Sequence, residues 1–215
     1  VRVVAGGYAG LDLAHFDLIA ASPGVPTLPP FAAPEVAAAR ARGVPIVGDF
    51  ELFGRAMRAL LPTRRPAVIG VTGTNGKSTV TVMVGGMCQA AGLSTVVAGN
   101  IGTPILSALE DAATRGMPEV FAVELSSYQL ETTDSLDLTA AAVLNLSQDH
   151  LDRYRSIHEY GEAKARIFRN AEIQVTNRDD AATLAMRTRR LSAQPTFGLT
   201  QPAASDEWGL YRSEG

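Results

Sequence analysis

The sequence predicts an α/β protein, with a partial Rossmann-like unit followed by an incomplete parallel-sheet unit that carries a P-loop-type phosphate-binding turn. Two series of apolar strand candidates alternate with helical segments, a pattern typical of parallel sheets covered by helices. The strands of the second series are almost continuously apolar, as expected for strands that are buried on both faces. A glycine-containing turn with a lysine and two hydroxyl residues follows the first of these strands.

The first unit is predicted over residues 1–64. Pro34 stands near the start of its first helix and Gly43 just beyond the end, where these residue types are favoured. Two prolines and two arginines at residues 60–66 indicate a linker to the second unit. The strands and helices of this unit are predicted, in order, in FDLIAASPG, APEVAAARARG, VPIVGD and FELFGRAMRALL.

The second unit is predicted over residues 65–215. One helix begins near Lys77, and another is predicted in SIHEYGEAKARIFRNA. From Pro195 onwards the sequence is irregular, and we expect the chain to be a fragment of a longer protein that lacks residues at both ends. The predicted strands of this unit are residues 67–72, 94–99, 119–126, 140–147 and 173–177.

Composition excludes several classes of protein. Hydrophobic residues make up 46% of the chain and charged residues 19%, as in ordinary globular proteins. A net charge of −3 and an aromatic content of 6% argue against nucleic-acid binding. No apolar run approaches the roughly 20 residues that cross a membrane, so we expect no membrane insertion. The single cysteine, Cys88, excludes an internal disulfide and fits a reducing compartment.

The segment GVTGTNGKSTVT, residues 70–81, has the order strand, glycine-containing turn, helix. Such a turn directs backbone N–H groups and a helix N-terminus towards phosphate. Lys77 is placed to reach terminal phosphates, and Ser78 or Thr79 to ligate Mg²⁺. The Walker pattern requires a glycine where this chain has Val71, so a strand–helix turn that binds nothing is the alternative.

Polar residues follow two later strands at the same predicted edge of the sheet. Glu124 ends the third strand of the second unit, where it is either a Mg²⁺ ligand or a surface acid. Asp149, His150 and Asp152 follow the fourth strand, and His150 is either a ligand or a structural residue. The other two histidines, at positions 15 and 158, have weaker surroundings for either role.

Lys164 lies on the apolar side of its predicted helix, with Tyr160, Ile167 and Phe168 as neighbours at helical spacing. A lysine at such a position can extend past the core so that its amine reaches water. The alternative is a desolvated amine with a lowered pKa, which is able to be neutral and to react with CO₂.

Taken together, these segments resemble the Mur ligase family over residues 17–177. GTNGKST alone is shared with folylpolyglutamate synthetases, whereas ELSSYQLE, DHLDRY and the Ser-Pro-Gly turn are selective for the D-glutamate-adding branch. The matching segments, in family order, are DLIAASPGVP, PIVGDFELF, GVTGTNGKSTVT, GNIGTPIL, ELSSYQLETT, LNLSQDHLDRY and EYGEAKARIF.

The resemblance implies a cytoplasmic, monomeric, ATP-dependent ligase that joins D-glutamate to UDP-N-acetylmuramoyl-L-alanine through an acyl phosphate. It implies that Ser78 and Glu124 hold one Mg²⁺ and that His150 and N-carboxylated Lys164 hold a second. Lys77, His150 and Lys164 would be the catalytic residues. The residues implied to contact ATP phosphates are Gly73, Thr74, Asn75, Gly76, Lys77, Ser78 and Thr79. Those implied to contact the UDP substrate are Ser22, Pro23, Gly24, Asn100 and Ser126.

The chain also departs from the family pattern. The uridine-binding loop expected upstream and the C-terminal domain that supplies the D-glutamate site have no counterpart in this sequence, so the fragment alone is expected to be inactive. Three alternatives stay open at this point: another Mur-type ligase, a folylpolyglutamate synthetase, or a nucleotide-binding module without turnover.

Overall fold

The computed structural model describes residues 5–63, 65–150, 152–188 and 193–211. Within these ranges, no helix is long and apolar enough to span a membrane. The strands are β1 Ile19–Ala20, β2 Ile46–Val47, β3 Ala67–Thr72, β4 Thr95–Gly99, β5 Val120–Glu124, β6 Leu138–Val143, β7 Ala171–Asn177, β8 Thr196–Phe197 and β9 Glu207–Trp208. The α-helices are α1 Pro34–Ala41, α2 Asp49–Leu60, α3 Lys77–Ala90, α4 Ile105–Arg115, α5 Ser127–Glu131, α6 Ile157–Ala165 and α7 Ala181–Ala185. Short 3₁₀ helices lie at Leu13–His15 and Arg166–Phe168.

Two parallel sheets form, which confirms the predicted α/β class. β1 and β2 pair with each other, and α1 connects them. The larger sheet has the strand order β4-β5-β3-β6-β7-β8-β9, and all of its pairings are parallel. The connection from β3 to β4 passes over β5 towards one edge of the sheet. The connection from β5 to β6 passes over β3 towards the other edge, so the two connections leave the centre of the sheet in opposite directions. Ligands bind at such switch points in open α/β sheets.

The core of the larger sheet includes side chains from the first predicted unit. Phe50 and Phe53 of α2 are fully buried, and the Phe53 ring packs edge-on against Phe121 of β5 with 5.4 Å between ring centroids. α2 packs against α4 and α5. Burying each such aromatic side chain contributes about 1.5–3 kcal/mol. Residues on both sides of the predicted boundary between residues 64 and 65 therefore share one core. The division into two domains at this boundary stays a prediction.

Several elements differ from the sequence prediction. The strand predicted over residues 140–147 runs instead from Leu138 to Val143, and the four residues that follow form a loop. The prediction of an irregular tail was wrong in part, because β8 and β9 add two short strands to the sheet. α4, α5 and α7 were not predicted. Arg64, within the predicted linker, lies outside the described residues.

Glu51 of α2 anchors the loop between α5 and β6. Its side chain is 3% exposed, and its carboxylate accepts hydrogen bonds from the backbone N–H groups of Asp134 and Ser135 at 2.9 and 2.8 Å. The Ser135 hydroxyl and Arg55 Nε donate two more. Burial acts to raise the pKa of Glu51, but these donors outweigh it and lower the pKa from 4.5 to about 2.

We predict that Glu51→Gln lowers the free energy of unfolding at neutral pH by about 1–3 kcal/mol, because charged hydrogen bonds are lost. The folded-state pKa lies below the ordinary value, so this stabilisation is complete above pH 4.5 and is lost as the pH falls towards about 2. Urea unfolding at a series of pH values measures the difference. Glu110→Gln, at an exposed position on α4, is the control. A difference in the free energy of unfolding between wild type and Glu51→Gln that is equal at neutral and acid pH would contradict this account.

Candidate functional site

The carboxyl ends of β4, β5, β3 and β6 bring the predicted site residues to one edge of the sheet. Glu124 pairs with Gly99 on one side and with Val71 on the other, and Thr72 pairs with Val143. The segments that continue from these strand ends contain the predicted phosphate-binding and metal-binding residues, apart from Lys164 on α6. The sequence prediction of a common edge is confirmed.

The predicted phosphate-binding turn, residues 73–79, depends on two glycines, and neither is the one that the Walker pattern requires. Gly73 has φ 155° and Gly76 has φ 81°, conformations that strongly favour glycine. A Cβ atom on Gly73 would also lie 3.0 Å from Leu144 Cβ. Val71, in contrast, is a fully buried strand residue. This turn therefore requires glycine at positions 73 and 76, and position 71 does not require glycine because it belongs to the strand.

The turn is held against the segment that follows β6. The Asn75 backbone N–H donates to Asn145 Oδ1 at 2.8 Å, and Asn145 Nδ2 donates back to the Asn75 carbonyl at 3.0 Å. The Ser147 backbone N–H donates to the Thr74 hydroxyl at 3.0 Å. Asn145 and Ser147 were not predicted as site residues, because both lie within the strand predicted over residues 140–147, which ends in the structure at Val143.

The start of α3 is suited to an anion. No side chain caps its N-terminus, and its first turn has no acidic residue, so its N–H groups face the turn without a competing carboxylate. Lys77 Nζ donates to the Thr74 carbonyl at 2.9 Å, within the turn itself. Ser78 and Thr79 are exposed at the start of the same helix.

Glu124 is almost completely buried, with 1% exposure. Its two carboxylate oxygens accept hydrogen bonds from the Ser78 hydroxyl at 2.7 Å and from Asn100 Nδ2 at 2.8 Å. Among the described residues, no basic side chain forms an ion pair with it. A buried carboxylate without an ion pair, next to a hydroxyl group, offers the oxygen ligands that a hard divalent cation prefers. The predicted pair Ser78 and Glu124 therefore fits a Mg²⁺ ion.

Lys164 is buried, with 1% exposure, so its amine does not extend into water. Nζ donates to the Gly73 carbonyl at 2.7 Å and lies 4.3 Å from the centroid of the Tyr160 ring. The helical spacing left two alternatives open for this amine, and the structure has the desolvated one. An α6 side chain thus reaches the first residue of the phosphate-binding turn.

The charge of the Lys164 amine is disfavoured by its surroundings. Burial lowers its pKa from 10.5 to about 7, and the positive charge of Lys77 acts in the same direction. Asp149 and Glu124 act in the opposite direction but do not compensate. A pKa lowered to this range allows part of the amine to be neutral near pH 7.

His150 lies above the same aromatic ring as Lys164, on the loop after β6. The centroids of the His150 and Tyr160 rings are 5.7 Å apart. His150 Nδ1 is 2.8 Å from the Tyr128 hydroxyl, and Nε2 is 3.5 Å from Asp149 Oδ2. His150 has φ 53°, which few non-glycine residues adopt. His150 is a residue that the sequence predicted as a candidate ligand, whereas Tyr160 was named only as a helical neighbour of Lys164 and Tyr128 was not predicted.

The predicted substrate residues lie in three separate segments of the chain. Ser126 caps the N-terminus of α5, and its hydroxyl accepts from the Gln129 N–H at 3.2 Å. Residues 22–24 form the turn after β1, and Val25 next to them accepts a hydrogen bond from Arg153 at 3.3 Å. The Asn100 side chain is directed to Glu124, as described above.

Other acidic and imidazole groups are dispersed. In the parts of the chain that the structure describes, no three His, Cys, Asp or Glu side chains form a group suited to a metal ion. The side chains of His15 and His158 are 75% and 83% exposed, which agrees with their weak sequence context. A second cation site at His150 and Lys164 would require a modified lysine, because a protonated amine has no lone pair and a neutral amine nitrogen is a poor ligand for a hard cation.

Comparison with known proteins identifies the family. The family model of the Mur ligase middle domain matches residues 71–214. The chain belongs to the Mur ligase family.

Curated relatives extend the similarity across the whole chain. The UDP-N-acetylmuramoylalanine–D-glutamate ligase of Thiobacillus denitrificans is 49% identical over 100% of this chain and 46% of its own length. The enzyme of the same name from Methylobacillus flagellatus is 49% identical over 98% of this chain and 43% of its own length. This chain thus spans less than half the length of these curated relatives.

A solved structure supports the same fold. The structure of a UDP-N-acetylmuramoyl-L-alanyl-D-glutamate–2,6-diaminopimelate ligase superposes with a TM-score of 0.58 and 26% identity, over 78% of this chain and 43% of that one. The MurF ligase of Thermotoga maritima, solved with ADP, superposes with a TM-score of 0.55 at 20% identity, over 76% and 43% of the two chains, and shows the shared fold alone.

We predict that Lys164 titrates near pH 7, because its amine is desolvated and lies near Lys77. The chain has only two lysines, so ¹³C,¹⁵N-lysine labelling gives two side-chain signals, which Lys164→Arg assigns. The expected result is one signal with a midpoint near 7. Two midpoints above about 10, the ordinary range of lysine, would show that the amine is solvated.

Proposed function

We propose that the polypeptide containing this chain is an ATP-dependent ligase that adds D-glutamate to UDP-N-acetylmuramoyl-L-alanine in the cytoplasmic synthesis of peptidoglycan precursors. The observation that carries the proposal is the 49% identity, over the whole chain, to a D-glutamate ligase. The site geometry supports it, since a phosphate-binding turn, a buried carboxylate and a desolvated lysine meet at one edge of the sheet. We further propose that the protein acts as a monomer.

In this proposal the turn from Gly73 to Thr79 binds the β- and γ-phosphates of ATP. The uncapped start of α3 supplies N–H donors, and Lys77 exchanges its contact with the Thr74 carbonyl for phosphate oxygens. The ammonium group offsets charge that develops on the transferred phosphoryl group.

Two cation sites are proposed beside the phosphates. Ser78 and Glu124 would hold one Mg²⁺, and His150 with N-carboxylated Lys164 would hold the second. Carboxylation converts a nitrogen donor into an anionic oxygen ligand, which suits a hard cation. When bound, Mg²⁺ reduces the repulsion between the ATP phosphates and the substrate carboxylate.

The remaining residues would bind and orient the UDP substrate. Asn100 and Ser126 are proposed to contact its muramoyl part, and Ser22, Pro23 and Gly24 its uridine diphosphate end. A carboxylate is a poor electrophile, so the γ-phosphate of ATP is transferred to it and supplies a leaving group. The amine of D-glutamate then attacks the acyl carbon, an amide bond forms, and inorganic phosphate leaves.

We predict that the complete polypeptide releases ADP only when both UDP-N-acetylmuramoyl-L-alanine and D-glutamate are present. Lys77→Ala should lower kcat/KM by about 10²–10³-fold, because one charged contact to the transition state is lost. Arg42→Ala removes an exposed cation beyond the end of α1 and should leave the rate unchanged. Turnover with an L-amino acid but not with D-glutamate would indicate a different Mur-type ligase. Full activity of Lys77→Ala would contradict the proposed role of the turn.

We predict that ¹³C-bicarbonate with Mg²⁺ produces a carbamate on Lys164, because the amine is partly neutral at pH 7 and CO₂ reacts with the neutral form. A ¹³C NMR carbamate signal should be present in the wild-type protein and in Lys77→Arg, and absent in Lys164→Arg. NMR detects the group without the acidification that destroys carbamates. An active protein that shows no such signal at saturating bicarbonate would contradict this modification.

A further inference from the structure

The backbone N–H groups of the phosphate-binding turn fall into two sets. Asn145 engages two of them, because the Thr74 N–H donates to its carbonyl at 3.0 Å and the Asn75 N–H donates to its Oδ1 at 2.8 Å. In the part of the chain that the structure describes, the N–H groups of residues 76–79 have no hydrogen-bond partner. The run of consecutive unpaired donors in this turn therefore begins at Gly76, after the two residues that Asn145 holds.

The side chain of Asn145 pairs with Asn75 as a neighbouring strand would. Its Oδ1 accepts the Asn75 N–H, and its Nδ2 donates to the Asn75 carbonyl at 3.0 Å. A carboxamide has both an acceptor and donors, so one side chain satisfies the N–H and the C=O of the same residue. An ionised carboxylate would offer no donor, and an aliphatic side chain would offer neither group. Asn145 thus extends the pairing of β3 with β6 beyond its last strand pair, Thr72 and Val143.

The segment that carries Asn145 is anchored to the end of β7 and the start of α7. Asn177 Nδ2 donates to the Leu144 carbonyl at 3.1 Å, and Asp180 Oδ2 accepts the Leu146 N–H at 2.8 Å. Asp180 also caps the N-terminus of α7. The residues before and after Asn145 are therefore both held, and its backbone is fixed as a residue that orients another requires.

The turn needs such an external partner because of its two glycines. Gly73 and Gly76, both with positive φ, lie on either side of Thr74 and Asn75. Glycine adopts many backbone conformations at similar energy, so rotation at these two positions would reorient the residues that follow. The bonds from Asn145 hold the two residues between the glycines and thereby limit this rotation.

We propose that Asn145 is a positioning residue for the phosphate site. By holding Thr74 and Asn75, it directs the N–H groups of residues 76–79 to the phosphates of the nucleotide, and the two N–H groups that it engages are not phosphate donors. The effect on nucleotide binding rests on the proposed function, whereas the pairing of Asn145 with the turn does not.

Selective ¹⁵N labelling of asparagine and lysine tests the pairing without any ligand. In the complete polypeptide without nucleotide, the Asn75 N–H should exchange with water at least about tenfold more slowly than the Lys77 N–H, after correction for intrinsic rates, because only the first is hydrogen-bonded. Asn75→Ser and Lys77→Arg assign the two signals. In Asn145→Ala, the Asn75 N–H should exchange about as fast as that of Lys77. Asn170→Ala is the control and should change neither rate, because its amide donates to the Asp134 carbonyl in a different loop.

Two results of this measurement would overturn the proposal. One is a wild-type Asn75 N–H that exchanges as fast as the Lys77 N–H, a comparison that needs no folded variant. The other is protection of the Asn75 N–H that survives in Asn145→Ala. If the alanine variant does not fold, Asn145→Leu fills a similar volume without polar groups and is compared in the same way.

A second measurement connects the pairing to the nucleotide. In the complete polypeptide, Asn145→Ala should raise the KM for ATP by about tenfold or more, because the donors that meet the phosphates are no longer held in one orientation. The KM for UDP-N-acetylmuramoyl-L-alanine should stay near the wild-type value, which a general loss of structure would not produce. Asn170→Ala should change neither constant.

The two proposals fail in different ways. An unchanged KM for ATP in Asn145→Ala, or an equal rise in both KM values, would refute the positioning role. An absence of ADP release in the wild-type polypeptide would refute the proposed function instead, and the exchange rates measured without nucleotide do not depend on that outcome.

Discussion

The hydrogen bond from Lys164 Nζ to the Gly73 carbonyl joins α6 to the phosphate-binding turn, and the arrangement of the site depends on it. A second lysine, Lys77, donates to the Thr74 carbonyl of the same turn. Two amines therefore lie on one short stretch of backbone, and the positive charge of Lys77 disfavours the charge of Lys164. Glu124 and Asp149 offset this only in part. The uncapped start of α3 and the Lys77 amine lie at this turn, which gives a physical reason for the proposed binding of phosphate.

The first predicted unit contributes to the site through α5. Asp49 at the start of α2 accepts a hydrogen bond from Gln129 Nε2 at 2.8 Å, and the same amide closes the capping box with Ser126. At the other end of α5, Glu131 pairs with Arg153 at 2.6 Å in a buried contact. Both ends of this five-residue helix are thus anchored, and Tyr128 between them has little freedom to move. In this way α5, which carries no predicted catalytic residue, helps to fix the Tyr128 ring that faces His150.

Sequence reasoning identified those residues whose surroundings are local. Helical spacing singled out Lys164 but left both a solvated and a desolvated amine open, and the turn was found from the order of strand, glycine and lysine. Tyr128 and Asn145 were missed because their partners, His150 and Asn75, are 22 and 70 residues away in the chain. β8 and β9 were missed because two residues are too few to show any periodicity.

The sequence by itself determined the α/β class, the edge of the sheet at which the polar residues gather, and the glycine positions of the turn. These follow from the 3.6- and 2-residue periods of the backbone and from the φ values that only glycine adopts freely. Only the tertiary structure decided that the Lys164 amine is buried and that Tyr128 faces His150. Desolvation and hydrogen-bond geometry depend on which distant segments approach each other, and no local pattern encodes that approach.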